Sequence, residues 1–110
     1  MELFSWLLIG HLVGDYLFQT SWMQRKTKDY LPLIVHSAIY TLAVALFALL
    51  RGGLSIWGIG VIFICHIILD QRKFIEFWAR KVTGTANIEW LKIVLDQSWH
   101  IMVLGLATLL

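Results

Sequence analysis

Four histidines and three of the four aspartates in this chain stand where they could do chemistry together: His11, His36, His66 and His100, with Asp15, Asp70 and Asp96. Three of the imidazoles have a carboxylate four residues away, in the pairs His11–Asp15, His66–Asp70 and Asp96–His100. Residues four apart on a helix share a face about one turn from each other, so each pair presents both groups on one surface. Gln19 extends the first pair by another turn, and Tyr40 does the same for His36. Neutral imidazole with carboxylate suits zinc, iron or manganese, and zinc is the commonest of these. In this reading His11, His36, His66 and His100 are the metal ligands, and Asp15, Asp70 and Asp96 are the candidate general bases. Each aspartate could instead accept the second ring proton of a ligating histidine. The plain alternative is a set of proton-sharing pairs that satisfy one another and fix helix register.

The elements that must carry these groups are unusually apolar. Of 110 residues, 59% are hydrophobic and 15% charged, and mean hydropathy is +0.76. A soluble domain is about half apolar and about a quarter charged. A core in so short a chain cannot hide this much apolar side chain from water, whereas a bilayer can. Four stretches approach the roughly 20 apolar residues that a span needs: residues 3–23, 31–50, 54–70 and 91–110. The expected fold is therefore all-α, an integral membrane four-helix bundle in one domain, residues 1–110. The start, Met1-Glu2-Leu3-Phe4-Ser5-Trp6, is acidic and reads as part of the first span, not a removable signal. Cys65 is the single cysteine, which excludes an internal disulfide.

Eight of the nine Lys and Arg residues fall between spans one and two, between three and four, or at the start of four; Arg51 is the exception. That side is assigned as cytoplasmic, leaving both termini outside. Trp6 and Trp57 then fall at the outer interface, and Trp22, Trp78 and Trp90 at the inner one. Residues 73–82 alternate basic and aromatic groups and read as a short amphipathic helix in the inner interface. The net charge of +2 is interleaved with apolar runs, so lipid is the expected partner and nucleic acid is not. A multi-pass protein of a bacterial inner membrane, with the option of a homo-oligomer, is the localisation expected.

Antiparallel spans with reversed motifs place like groups at like depth. His11 and His66 precede their aspartates in inward-running spans, and His100 follows Asp96 in an outward-running one. An Asp at a helix centre costs about 2.5–3.5 kcal/mol on insertion scales, so three of them should face the bundle interior. Gly10 and Gly14 flank His11 at a spacing that lets a neighbouring helix approach closely. Lys73, one turn past Asp70, is the expected ion-pair partner of that carboxylate; Gln97 and Gln71 stand off the pairs' faces as interhelical hydrogen-bonding groups. Arg25 and Arg72 are explained by topology, or by contact with a phosphate head group. Cys65 points away from His66, and Trp99 reads as packing.

The segments His11-Leu12-Val13-Gly14-Asp15-Tyr16-Leu17-Phe18-Gln19, His36, His66-Ile67-Ile68-Leu69-Asp70 and Asp96-Gln97-Ser98-Trp99-His100 resemble a family of small bacterial and phage membrane proteins described as a domain of unknown function. Its signature runs HLxxDaxxQ (a, aromatic), H, HxxxD, DQxxH, over nearly the whole chain. The resemblance implies a shared fold and shared polar positions. A looser similarity connects the chain to membrane-bound metal-dependent hydrolases and to intramembrane zinc amidases of the ceramidase type. These analogies supply a chemistry: metal-dependent hydrolysis of a lipid or lipid-linked substrate from the cytoplasmic side. Metal-ion or proton transport, and a purely structural membrane subunit, are the alternatives.

Overall fold

Two glycines decide how the first two helices meet. In the computed structural model, which describes residues 1–110, helix α1 (Leu3–Leu12) packs on α2 (Tyr30–Ala48). A Cβ on Gly10 would stand 2.8 Å from Val44 Cα, and one on Gly14 would stand 2.9 Å from Tyr40 Cα. Only hydrogen fits at such separations, so the two backbones meet closely on either side of His11. After Leu12 the helix widens to i→i+5 bonding over Val13–Leu17, and Phe18 closes it with an N–H bond to the Val13 carbonyl at 3.1 Å.

That ending corrects the expected first span of residues 3–23. Polar side chains compete for backbone groups and favour turns, and the run Gln19-Thr20-Ser21 follows directly. Thr20 Oγ1 accepts the N–H of Met23, and the chain continues as a 3₁₀ segment, Trp22–Thr27. Helix α2 carries Pro32 in its first turn, where no intrahelical N–H is missed. It tightens to a 3₁₀ turn over Leu49–Arg51, and Gly52 and Gly53 reverse the chain at φ of 93° and 81°. Ser55 caps α3 (Ile56–Asp70), its Oγ accepting the Gly58 N–H at 3.0 Å.

Arg72 links α3 to α4 (Lys73–Trp78) in the left-handed region, at φ 67°, the one non-glycine residue that adopts positive φ. A wide turn, Ala79–Thr83, extends α4 across the segment expected to lie amphipathic at an interface. Two contacts dock it on α5 (Glu89–Ala107): Trp99 meets Phe74 and Trp78 edge-on at 4.9 and 5.0 Å, and Lys92 bridges Glu76 and Glu89 at 3.0 and 3.1 Å. Trp99 thus packs as expected.

The chain is all-helical with no strand. One helix, Tyr30–Arg51, is long and apolar enough to cross a membrane; Leu3–Leu17 and Ile56–Asp70 are shorter apolar helices. The expectation of four membrane-length stretches is therefore met by one helix. The residues that shorten the pattern are the polar ones: Gln19, Thr20 and Ser21 follow the helix Leu3–Leu17, and Lys92, Asp96, Gln97, Ser98 and His100 dilute α5.

Leu7, Tyr40, Val44, Ala48, Ile62, Leu104 and Ala107 form the apolar core. Each histidine lies one turn from a core residue on its own helix: His11 from Leu7, His36 from Tyr40, His66 from Ile62, and His100 from Leu104. The core thus sets the level at which four imidazoles meet.

Candidate metal centre

Helical pitch carries Asp70 to the last position of α3, directly above His66. Its carboxylate is the centre of the site. Oδ2 stands 3.0 Å from His66 Nε2, 3.0 Å from His36 Nε2 and 2.9 Å from Lys26 Nζ, while Oδ1 stands 3.2 Å from His100 Nε2. Asp15 joins from α1, with Oδ1 3.1 Å from His36 Nε2 and 4.0 Å from His66 Nε2. Relative exposures are 5% for Asp15, 0% for His36, 1% for His66, 2% for Asp70 and 2% for His100, so no bulk water screens them.

His36 Nε2 and Asp15 Oδ1 are hydrogen-bonded, whereas the contacts to Asp70 are close without hydrogen-bond alignment. His66 Nε2, His100 Nε2 and Asp70 Oδ2 are buried without a hydrogen-bond partner, as are His36 Nδ1, His66 Nδ1 and Asp96 Oδ1. Buried polar atoms are nearly always paired, and leaving one unpaired costs about 1–3 kcal/mol. A bound cation would satisfy such closely spaced, unpaired donor atoms. Ligands about 2.0–2.1 Å from a tetrahedral ion stand roughly 3.3–3.4 Å apart. Asp15, His36, His66 and Asp70 present one donor atom each, all within 4.8 Å of one another; Asp70, Asp96 and His100 form a second such group. Asp70 belongs to both. The residues fit a metal ion.

The hydrogen bonds around the centre fix its tautomers. His100 Nδ1 donates to the backbone carbonyl of Asp96 at 2.7 Å, and its Nε2 faces Asp70 Oδ1 at 3.2 Å. Gln97 donates from Nε2 to Asp15 Oδ2 and Asp96 Oδ2, both at 3.2 Å, so its oxygen must face His11. His11 Nε2 accordingly donates to that oxygen at 2.8 Å, and His11 Nδ1 accepts from the Tyr40 hydroxyl at 2.7 Å. The Tyr40 ring also stacks on His66, centroids 3.9 Å apart and planes within 18°.

Several expectations change here. His11 lies outside both donor groups, because Tyr40 and Gln97 occupy its two nitrogens. Its pairing with Asp15 is not formed: the widened turn at Val13–Leu17 breaks the regular four-residue register, and Asp15 bonds His36 instead. Tyr40 serves His11 and His66, not His36. Gln97 does join helices, but at the centre of the network. Gln19 lies past the end of α1 and reaches the site only through Lys26, whose ammonium it accepts at 2.6 Å. Lys26, not Lys73, is the cation paired with Asp70. Sequence reasoning missed Lys26 by counting it with the charges that set topology. The signal available was the count itself: three interior carboxylates and no interior cation.

A cleft of about 360 Å³ leads to the centre. Asp15, Asp70, Asp96, Lys26, Arg72 and Gln24 are among its lining residues. The donor atoms are thus buried, yet reachable by a ligand.

No curated protein and no solved structure matches the chain. Residues 3–110 match the family described as "Protein of unknown function (DUF3307)", and the chain belongs to that family.

Proposed function

We propose that this chain is a multi-pass protein of a bacterial cell membrane that holds a divalent metal ion, zinc by first choice, and uses it to hydrolyse a lipid or lipid-linked substrate. The observation that carries the reading is the convergence of His36, His66 and His100 Nε2 on the Asp70 carboxylate at 3.0–3.2 Å, with hydrogen-bond alignment absent at His66 and His100.

The inside-out distribution of side chains supports the membrane. Nine of the 25 buried residues are polar or charged. Meanwhile Leu31, Leu42 and Leu46 on α2, Trp57, Ile64 and Ile68 on α3, and Val94, Met102 and Leu106 on α5 are each about half exposed or more. Apolar surface of that extent needs a covering, and lipid supplies one around a four-helix bundle of α1, α2, α3 and α5. The clustering of Lys and Arg in the loops of one side supports a cytoplasmic position for that side, with both termini outside.

In this reading His36, His66, Asp70 and Asp15 hold the ion. Bound there, it would lower the pKa of a coordinated water toward about 7 and polarise the scissile group. Asp96 lines the cleft with Asp70, and in this reading it would take a proton from a water at the ion. His100, its Nδ1 held by the Asp96 carbonyl, would offer Nε2 to an ion bound beside Asp70 and Asp96. A pathway for ion transport is disfavoured by the apolar core from Leu7 to Ala107, which offers no polar route beyond the histidines. One observation favours a structural reading instead. Lys26 already places a cation on Asp70, so the network could be a self-neutralised packing device.

Turnover of lipid amide, ester and phosphoester panels by the purified, metal-loaded protein tests the proposal. Hydrolysis of one class, abolished by Asp96→Asn with metal retained, is expected. Inactivity of the metal-loaded protein on all three classes contradicts it.

A further inference from the structure

We infer that the cleft binds the phosphate or similar anionic group of a substrate, through the Arg72 guanidinium and a metal ion at the buried centre. The inference rests on the metal reading above and adds the substrate's chemical class.

Two basic residues line the cleft, Lys26 and Arg72, and Lys26 pairs with Asp70 at 2.9 Å. Arg72 has neither an ion pair nor a side-chain hydrogen bond, although it is half-buried and lines the same cleft as Asp70 and Asp96. Its backbone adds a second anomaly. A non-glycine residue at φ 67° is strained relative to glycine. Glycine would make the α3–α4 turn more easily, so the backbone gives no reason for arginine here. The side chain remains as the reason, and it faces a polar cleft.

Charge decides what that cleft accepts. Asp15, Asp70 and Asp96 line the cleft together with Lys26 and Arg72, and a divalent ion at the centre would add two positive charges beside the carboxylates. Guanidinium offers planar paired donors that match phosphate geometry. Gln24 and Thr27, which line the same cleft, add neutral donors. An anion that contacts both Arg72 and the ion should bind cooperatively with the metal.

The test is equilibrium dialysis of radiolabelled inorganic phosphate, and calorimetry with short-chain phosphatidic acid, against metal-loaded protein in neutral detergent. Binding of either probe is expected, lost on chelation and weakened tenfold or more in Arg72→Gly with metal content unchanged. Arg72→Gly suits the turn, so lost binding cannot be put down to misfolding, and Arg72→Lys should recover part of it. Tighter binding of phosphatidic acid than of phosphate assigns the anion to a lipid head group; equal binding assigns it to free phosphate. Metal-loaded wild type that binds neither probe, or Arg72→Gly that binds as wild type does, overturns the inference while leaving the metal centre standing. A wild type that holds no metal overturns both.

Discussion

His66 Nε2 and Asp70 Oδ2 lie 3.0 Å apart, one turn from each other on α3, and neither atom has a hydrogen-bond partner. The pair is therefore close without being mutually satisfied. A proton-sharing pair would be aligned, with the N–H directed at the oxygen. Here His36 and Lys26 crowd the same oxygen, and His100 faces the other one. The relationship makes sense if a shared cation is the intended partner of all of them.

Replacing ligands and replacing their supports should then differ. Asp70→Asn, His36→Ala and His66→Ala should each abolish stoichiometric metal. Tyr40→Phe should keep the metal, because it removes only the hydroxyl that bonds His11 and leaves the ring on His66. Its cost should be about 1–3 kcal/mol of stability from the unpaired His11 nitrogen. Elemental analysis beside thermal unfolding in detergent separates the two patterns.

Lys26 should act as a competitor of the metal. In Lys26→Met the Asp70 charge is left buried and unpaired, which should destabilise metal-free protein by about 3–5 kcal/mol. Metal-loaded protein should be much less affected, so the rise in melting temperature on adding metal should be larger than in wild type. Metal titrations followed by differential scanning fluorimetry read this directly. An unchanged rise would mean that Lys26 and the ion occupy separate places.

The glycines make a contrasting pair of predictions. Gly10→Ala puts a methyl 2.8 Å from the α2 backbone and should cost about 1–3 kcal/mol or more, because backbone cannot give way as a flexible side chain can. Gly60→Ala meets nothing within 4 Å in the middle of α3 and should stabilise by about 0.5–1 kcal/mol. Unfolding midpoints of the two variants against wild type check both signs.

What the sequence made legible, and what it hid, follows from locality. The residue types of the site, and their recurrence on four apolar segments, are local facts, so His36, His66, Asp70, Asp96 and His100 could be named. Tyr30–Arg51 is legible for the same reason, being one long apolar run. The role of His11 was hidden because four-residue spacing implies a shared face only on a regular helix, and the turn widens at Val13–Leu17. Lys26 was hidden because its position depends on the path of the 3₁₀ segment Trp22–Thr27 back into the bundle, a tertiary fact with no periodic trace. The same holds for Gln97, whose amide reaches two carboxylates and an imidazole only once α1 and α5 are side by side.

The central claim is that the buried histidines and aspartates hold a metal ion, and elemental mass spectrometry of protein purified in detergent without chelator addresses it most directly. The account predicts at least one zinc, iron or manganese per chain, lost in His66→Ala and Asp70→Asn and kept in His11→Ala. Absence of metal from folded wild type, even after reconstitution with each ion, would contradict it and leave a packing network neutralised by Lys26.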